Sequence, residues 1–112
     1  MSTIQFSDFS KVQFKVGSVV EAERKVGSEK LIRMVVDFGE MIGKKTVLSG
    51  IAKWYDPEHL VGKKTVFVMN VEPRKIMDEM SEAMLFAADA GEHSEVSLLI
   101  LDKDVPEGSN VY

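Results

Sequence analysis

Apolar and polar residues alternate with a period of two along much of this chain. Val12, Phe14 and Val16 alternate with Gln13, Lys15 and Gly17, and Val19-Val20 carry the run on towards Glu23. That period marks a strand with one buried face, so a first strand is predicted over Val12–Glu23. Gly17 interrupts it, which predicts a bulge or a sharp bend of the kind barrel closure requires. Lys25 to Glu29 reads as a loop, and Leu31 to Phe38 as a second strand ended by Gly39. Two later segments echo each other: Ile42-Gly43-Lys44-Lys45-Thr46-Val47-Leu48 and Val61-Gly62-Lys63-Lys64-Thr65-Val66-Phe67. Each is a glycine turn, two lysines and a β-branched run, and the echo is too short to be a structural repeat. Further apolar runs follow at Met84–Ala88 and Val96–Leu101, and Asn110-Val111-Tyr112 offers an edge strand. Pro73 closes the fourth strand.

Helical signals are few. Ser7 to Lys11 reads as one turn with Ser7 as N-cap. Asp56-Pro57 reads as a capping acid followed by proline in the first turn of a short helix. Five or six short strands, with one small helix between the third and fourth, fit an all-β fold. The architecture predicted is an OB-type five-stranded Greek-key barrel with a C-terminal extension, as a single domain over 1–112. A β-sandwich is the structural alternative.

Composition agrees with a packed domain. The chain has 112 residues, 45% of them hydrophobic, three prolines and no cysteine. The absence of cysteine removes disulfides and thiolate metal sites and is consistent with a cytoplasmic location. No apolar run approaches the ~20 residues of a membrane span, and the N-terminus lacks the pattern of a secretory signal. The net charge is −4, but its distribution is uneven. Residues 1–75 carry 13 Lys/Arg against 9 Asp/Glu, whereas residues 76–112 carry one Lys against 9 Asp/Glu. A chain so polarised can present one basic face to phosphates; the plainer reading is that both sets are solvated surface.

Catalytic chemistry finds little support. His59 and His93 lie in different segments without metal-ligand spacing. Gly39 to Lys44 lacks the spacing and the Ser/Thr of a phosphate loop. Pairs such as Glu21/Glu23 and Asp102/Asp104 read as solvated edge residues. No cofactor is expected, and the chain is read as a non-enzyme.

One further pattern is more specific. In order, the chain carries Val12–Gly17, Val19-Val20-Glu21-Ala22-Glu23, Gly27-Ser28-Glu29-Lys30-Leu31, Val35-Val36-Asp37-Phe38-Gly39 and Ser49-Gly50-Ile51-Ala52-Lys53-Trp54-Tyr55. Pro57 to Lys64 and Asn70-Val71-Glu72-Pro73-Arg74-Lys75-Ile76 follow. As a set these segments resemble the structure-specific tRNA-binding module, which occurs free-standing and appended to methionyl-tRNA synthetases. The resemblance implies an OB barrel that binds folded tRNA by shape and charge, as a homodimer. It also implies an aminoacyl-tRNA synthetase as a partner. A chain of this length fits the free-standing form or a small subunit acting in trans. The expected contacts are Lys30, Arg33, Lys53, Lys64, Arg74 and Lys75 on phosphates, with Ser81 and Met84 matching the family's Ser-x-Gly-Met turn. One residue at a time, each cation also reads as a solvated strand-edge residue, and Ser81 and Met84 as a polar cap and a core methionine. Trp54 and Tyr55 either stack on bases or pack against the short helix, and packing is the expectation.

The resemblance breaks between Met77 and Met84. Asp78 and Ala83 replace two expected glycines, and Asp78, Glu79 and Glu82 bring three carboxylates to the turn. Asp78 is expected to take a positive φ there, and Ala83 to place a methyl where backbone would approach RNA. Three readings stay open: altered tRNA binding, a diverged OB dimer that binds protein as the secretion-chaperone-like relatives do, or a structural partner of a synthetase. The segments Phe6/Phe9 and Val96–Leu101 are candidates for a dimer interface.

Overall fold

The computed structural model describes residues 1–112. The chain runs α1 (Phe6–Phe9), β1 (Phe14–Arg24), β2 (Ile32–Asp37), β3 (Lys44–Ser49), α2 (Pro57–Leu60), β4 (Lys64–Val68), β5 (Arg74–Ile76), β6 (Glu79–Ser81), β7 (Met84–Leu85), β8 (Ala87–Asp89), β9 (Val96–Leu98) and β10 (Asn110–Val111). The main sheet has the order β3-β2-β1-β4-β7, all pairs antiparallel, with β10 on β1. This is the all-β, OB-type architecture. The β8–β9 hairpin and β10 form the C-terminal extension, and the short helix between the third and fourth strands is present.

The long β1 organises the sheet. Its first half pairs with β4 from Phe14↔Val68 to Ser18↔Lys64, and its second half pairs with β2 from Ser18↔Asp37 to Arg24↔Ile32. One strand thus serves two neighbours and turns the sheet on itself. The alternation of β2 is realised residue by residue, with Ile32, Met34 and Val36 buried and Arg33, Val35 and Asp37 half-exposed. These three pack with Val19, Phe38, Val47, Leu60 and Phe67 into the barrel core. Phe38 and Phe67 meet edge to face, ring centroids 5.3 Å apart, a favoured aromatic geometry.

Several local expectations are corrected. The bulge in β1 falls between Val19 and Glu21, where the register with β2 shifts, and not at Gly17. Gly17 pairs regularly with Thr65. It is needed for space: a Cβ there would sit 2.6 Å from both Phe38 Cε1 and Val36 Cγ1. Ser7 lies inside α1 and does not cap it; Gln5 holds the cap position without a side-chain bond. Asp56 does precede Pro57 at the cap of α2, but its carboxylate pairs with Arg24 at 3.2 Å instead of the helix amides. The turn expected around Met77 proves to be a hairpin, β5–β6, which strands of three residues concealed.

The sheet closes through a short seam. The Glu82 N–H donates to the Thr46 carbonyl at 2.8 Å, and the Thr46 N–H donates to Glu82 Oε1 at 2.8 Å. The Leu48 N–H donates to Ser81 Oγ at 3.0 Å, and that hydroxyl donates to the Ala83 carbonyl at 3.0 Å. Two side chains therefore supply ladder bonds that the irregular backbone at 81–83 does not. Filling the space at Gly17 tests the packing above it. Gly17→Ala should destabilise the fold by about 1–3 kcal/mol through overpacking against Phe38; urea unfolding with an unchanged midpoint would refute this.

Candidate nucleic-acid interface

The loop joining β1 to β2 is shaped by its serine. Ser28 Oγ accepts from the N–H groups of Lys30 and Leu31, both at 3.2 Å, and the Ala52 N–H donates to the Lys30 carbonyl at 3.1 Å. These bonds bring Lys30 beside the segment that follows β3. There the Trp54 and Tyr55 N–H groups both donate to the Ile51 carbonyl at 3.0 Å, turning the chain sharply towards α2. The result is a groove of about 500 Å³ whose walls include Lys30, Lys53, Trp54, Leu85, Ala87 and His93. Glu29 and Asp89 also reach it.

Trp54 is half-buried and packs against the barrel core, as does Tyr55. The Lys53 ammonium lies 5.5 Å from the indole centroid, and the His93 ring lies 6.3 Å from it. The Tyr55 hydroxyl accepts from the Leu98 N–H at 3.1 Å, tying the extension to the barrel. Packing is thus the main role of Tyr55, while Trp54 packs and also lines the groove. His93 is held by Asp89, whose Oδ2 lies 2.6 Å from Nδ1, on a loop where Glu92 and His93 both take positive φ. Nothing in the sequence pattern brought His93 to Trp54.

The predicted contact residues divide into two groups. Lys30, Lys53, Arg74 and Lys75 have no carboxylate within ion-pair distance. Lys30 and Lys53 share the groove, and Arg74 and Lys75 lie exposed on β5. Arg33 and Lys64, by contrast, are engaged. Arg33 Nε donates to Glu79 at 2.7 Å, and Lys64 Nζ donates to Asp104 at 2.7 Å and to the Val105 carbonyl at 2.8 Å. Lys64 also pairs with Glu107 at 3.3 Å, and Glu107 accepts from Ser18 Oγ at 2.8 Å. The acidic final third of the chain folds back onto part of the basic remainder.

Ser81 is buried, 7% exposed, with its hydroxyl spent on the seam. Met84 is exposed on β7, facing outward beside Phe86. Ala83 belongs to the hydrophobic core, so its methyl points inward and leaves the outer surface unchanged. The positive φ of the β5–β6 turn is taken by Met77, at 59°, and not by Asp78.

The acids of that turn are compensated. Lys25 Nζ lies 2.8 Å from Asp78 Oδ1 and 3.0 Å from Glu79 Oε1, while Arg33 holds the other Glu79 oxygen. Arg33 draws the Glu79 carboxyl below its usual range, with Lys25 adding to the effect. Lys25 lowers Asp78 in the same way, and Asp78 and Glu79 raise Lys25 in return. Lys25 was not singled out in the sequence because its partners stand more than fifty residues away.

An OB-type barrel with a lysine-flanked groove and a hairpin that exposes Arg74 and Lys75 belongs to the class of folds that receive nucleic acid on one face. Comparison with known proteins narrows the class. Residues 14–110 match the family model described as "Putative tRNA binding domain", and the chain belongs to that family. It is 44% identical over 108 residues to the methionine–tRNA ligase of Caldanaerobacter subterraneus, covering 96% of this chain but 16% of the ligase. It is 46% identical over 108 residues to that of Methanothrix thermoacetophila, covering 96% of this chain and 15% of the ligase. The chain therefore spans about a sixth of these relatives. Among solved structures, a MetRS-related protein from Pyrococcus horikoshii superposes with TM-score 0.92 at 38% identity, covering all of both chains. The chaperone CsaA from Bacillus anthracis superposes with TM-score 0.88 at 30% identity, covering 99% of this chain and 100% of that one.

Ser81→Ala separates the seam from the interface. Removing the acceptor leaves the Leu48 N–H buried without a partner, and stability should fall by about 1–3 kcal/mol. Chemical unfolding reads this directly; full retention of stability would show that Ser81 does not hold the seam.

Proposed function

We propose that this chain is a non-catalytic RNA-binding module that receives folded tRNA by shape and charge. The observation that carries the reading is the set of cations without ion-pair partners, Lys30, Lys53, Arg74 and Lys75, on the loops and hairpin of a tRNA-binding-family barrel. Phosphates would replace water around these ammonium and guanidinium groups with release of counterions, so affinity would fall steeply with salt. Met84, exposed on β7, would offer an apolar contact of its own. Arg33 and Lys64 are satisfied by protein carboxylates and would contribute less directly. Total tRNA in a filter-binding assay across a salt series tests the proposal. Binding is expected at ~50 mM salt, and Arg74→Gln with Lys75→Gln should lower the salt slope by about one to two units. No binding at that ionic strength would sink it.

The module is further proposed to act as a homodimer. Ile4, Phe6 and Phe9 at the N-terminus and Tyr112 at the C-terminus are exposed, with Phe6 at 80%. Phe9, Phe14 and Phe86 form a chain of rings with centroid separations of 6.2 and 5.0 Å. Exposed apolar side chains of this kind fit a partner copy. Phe6→Ser with Phe9→Ser should convert a dimer to monomers in multi-angle light scattering; a wild-type protein already monomeric would exclude the claim. The methionine–tRNA ligase relatives make a synthetase a reasonable partner for the same surface. The similarity to CsaA favours one second reading, in which the apolar wall of the groove takes a protein segment, and binding of an unfolded polypeptide without tRNA would select it.

A further inference from the structure

The β5–β6 hairpin carries two of the proposed phosphate contacts, yet little apolar surface holds it. Arg74 and Lys75 are exposed, Ile76 is half-buried, and Met77 and Met80 are exposed at 52% and 46%. The turn itself is strained, because Met77 is a non-glycine residue at φ 59°, a conformation L-residues disfavour. Its side-chain end reaches the β1–β2 loop near Gly27, 3.3 Å from where a Cβ on that glycine would lie. The polar links to the barrel run through the turn acids to two cations. One is Lys25 at the end of β1, and the other is Arg33 on β2, which also approaches Glu23 at 3.8 Å. The cluster is unevenly open to solvent: the Lys25 and Glu79 side chains are 12% and 24% exposed, whereas Asp78 is 83% exposed. Glu79 is the one member that contacts both cations, so its removal would break the link between Lys25 and Arg33 and leave Lys25 only the exposed Asp78.

We propose that Lys25, Arg33, Asp78 and Glu79 form an ionic latch that joins the two loops flanking the binding face and so positions Arg74 and Lys75 for RNA phosphates. The proposal rests on the RNA-binding reading above. In an OB fold these two loops, between the first and second strands and between the fourth and the closing strand, border the ligand face. Locked together, they hold the hairpin cations in one place before the ligand arrives, which spares the entropy of ordering them on binding. Lys25 and Arg33 are then positioning residues, and the acids that looked repulsive are their counter-charges.

The sign of one substitution decides the matter. Glu79→Gln makes the protein more basic, so charge alone predicts tighter RNA binding. The latch predicts the reverse, with total tRNA at ~50 mM salt bound about fivefold more weakly and a shallower salt slope. Glu79→Asp, which keeps the charge, should stay within about twofold of wild type, and Glu79→Gln should add little to Arg33→Gln because the two share one network. Far-ultraviolet circular dichroism is expected to be unchanged. Hydrogen exchange at Met77–Met80 supplies a readout independent of RNA, and these amides should exchange faster in Glu79→Gln. Wild-type protein that binds no tRNA would defeat the function itself. Wild-type binding with equal or tighter binding by Glu79→Gln, or unchanged exchange in the hairpin, would defeat the latch alone.

Discussion

A sheet this small cannot leave its edges open, and the closure between β3 and residues 81–83 is the constraint on which the rest depends. An unpaired edge presents a row of N–H and C=O groups to any other chain. Here the edge of β3 is satisfied by a backbone pair at Glu82 and by two side-chain acceptors, Glu82 Oε1 and Ser81 Oγ. Because the seam lies between β6 and β7, it anchors one end of the β5–β6 hairpin and one wall of the groove together. Ala83 fills the core directly beneath, so the same three residues serve closure and packing. With only 19 of 112 residues buried, few other places supply such convergence.

Charge is organised by the same fold. Along the sequence the basic and acidic segments look separated, as one basic face would require. In space the acids return to selected cations: Asp78 and Glu79 to Lys25 and Arg33, Asp104 and Glu107 to Lys64. Among those left without a carboxylate partner are Lys30 and Lys53 at the groove and Arg74 and Lys75 on the hairpin. Exposed single pairs contribute little to stability, but linked pairs between distant segments restrict geometry, and geometry is what recognition of a folded polyanion requires.

The barrel was legible because period-two patterning reports directly on a half-buried strand, as Ile32, Met34 and Val36 demonstrate. The short helix was legible from Asp56-Pro57. The β5–β6 hairpin was not, because its strands are three residues long, too short to show a period. Gly17 was correctly marked as unusual but for the wrong reason, since nothing local signals that Phe38 will lie over it. At the site, Lys30 and Lys53 converge on one groove as the ordered motifs suggested. The engagement of Arg33 and Lys64 and the part played by Lys25 depend on partners some forty to fifty-five residues distant. No periodicity carries that information. The acids at 78 and 79 illustrate the general point: a residue's charge can be read from the sequence, but whether it faces solvent, ligand or a counter-charge is a property of the fold.

Trp54 is the only tryptophan in the chain, and it stands in the wall of the groove with a lysine ammonium on one side and an imidazole nearby. The protein therefore carries a single indole, placed where a ligand would arrive. Excited at wavelengths that tyrosine does not absorb, it reports the polarity of that one spot. Occupancy of the groove thus becomes an optical event in the unmodified molecule.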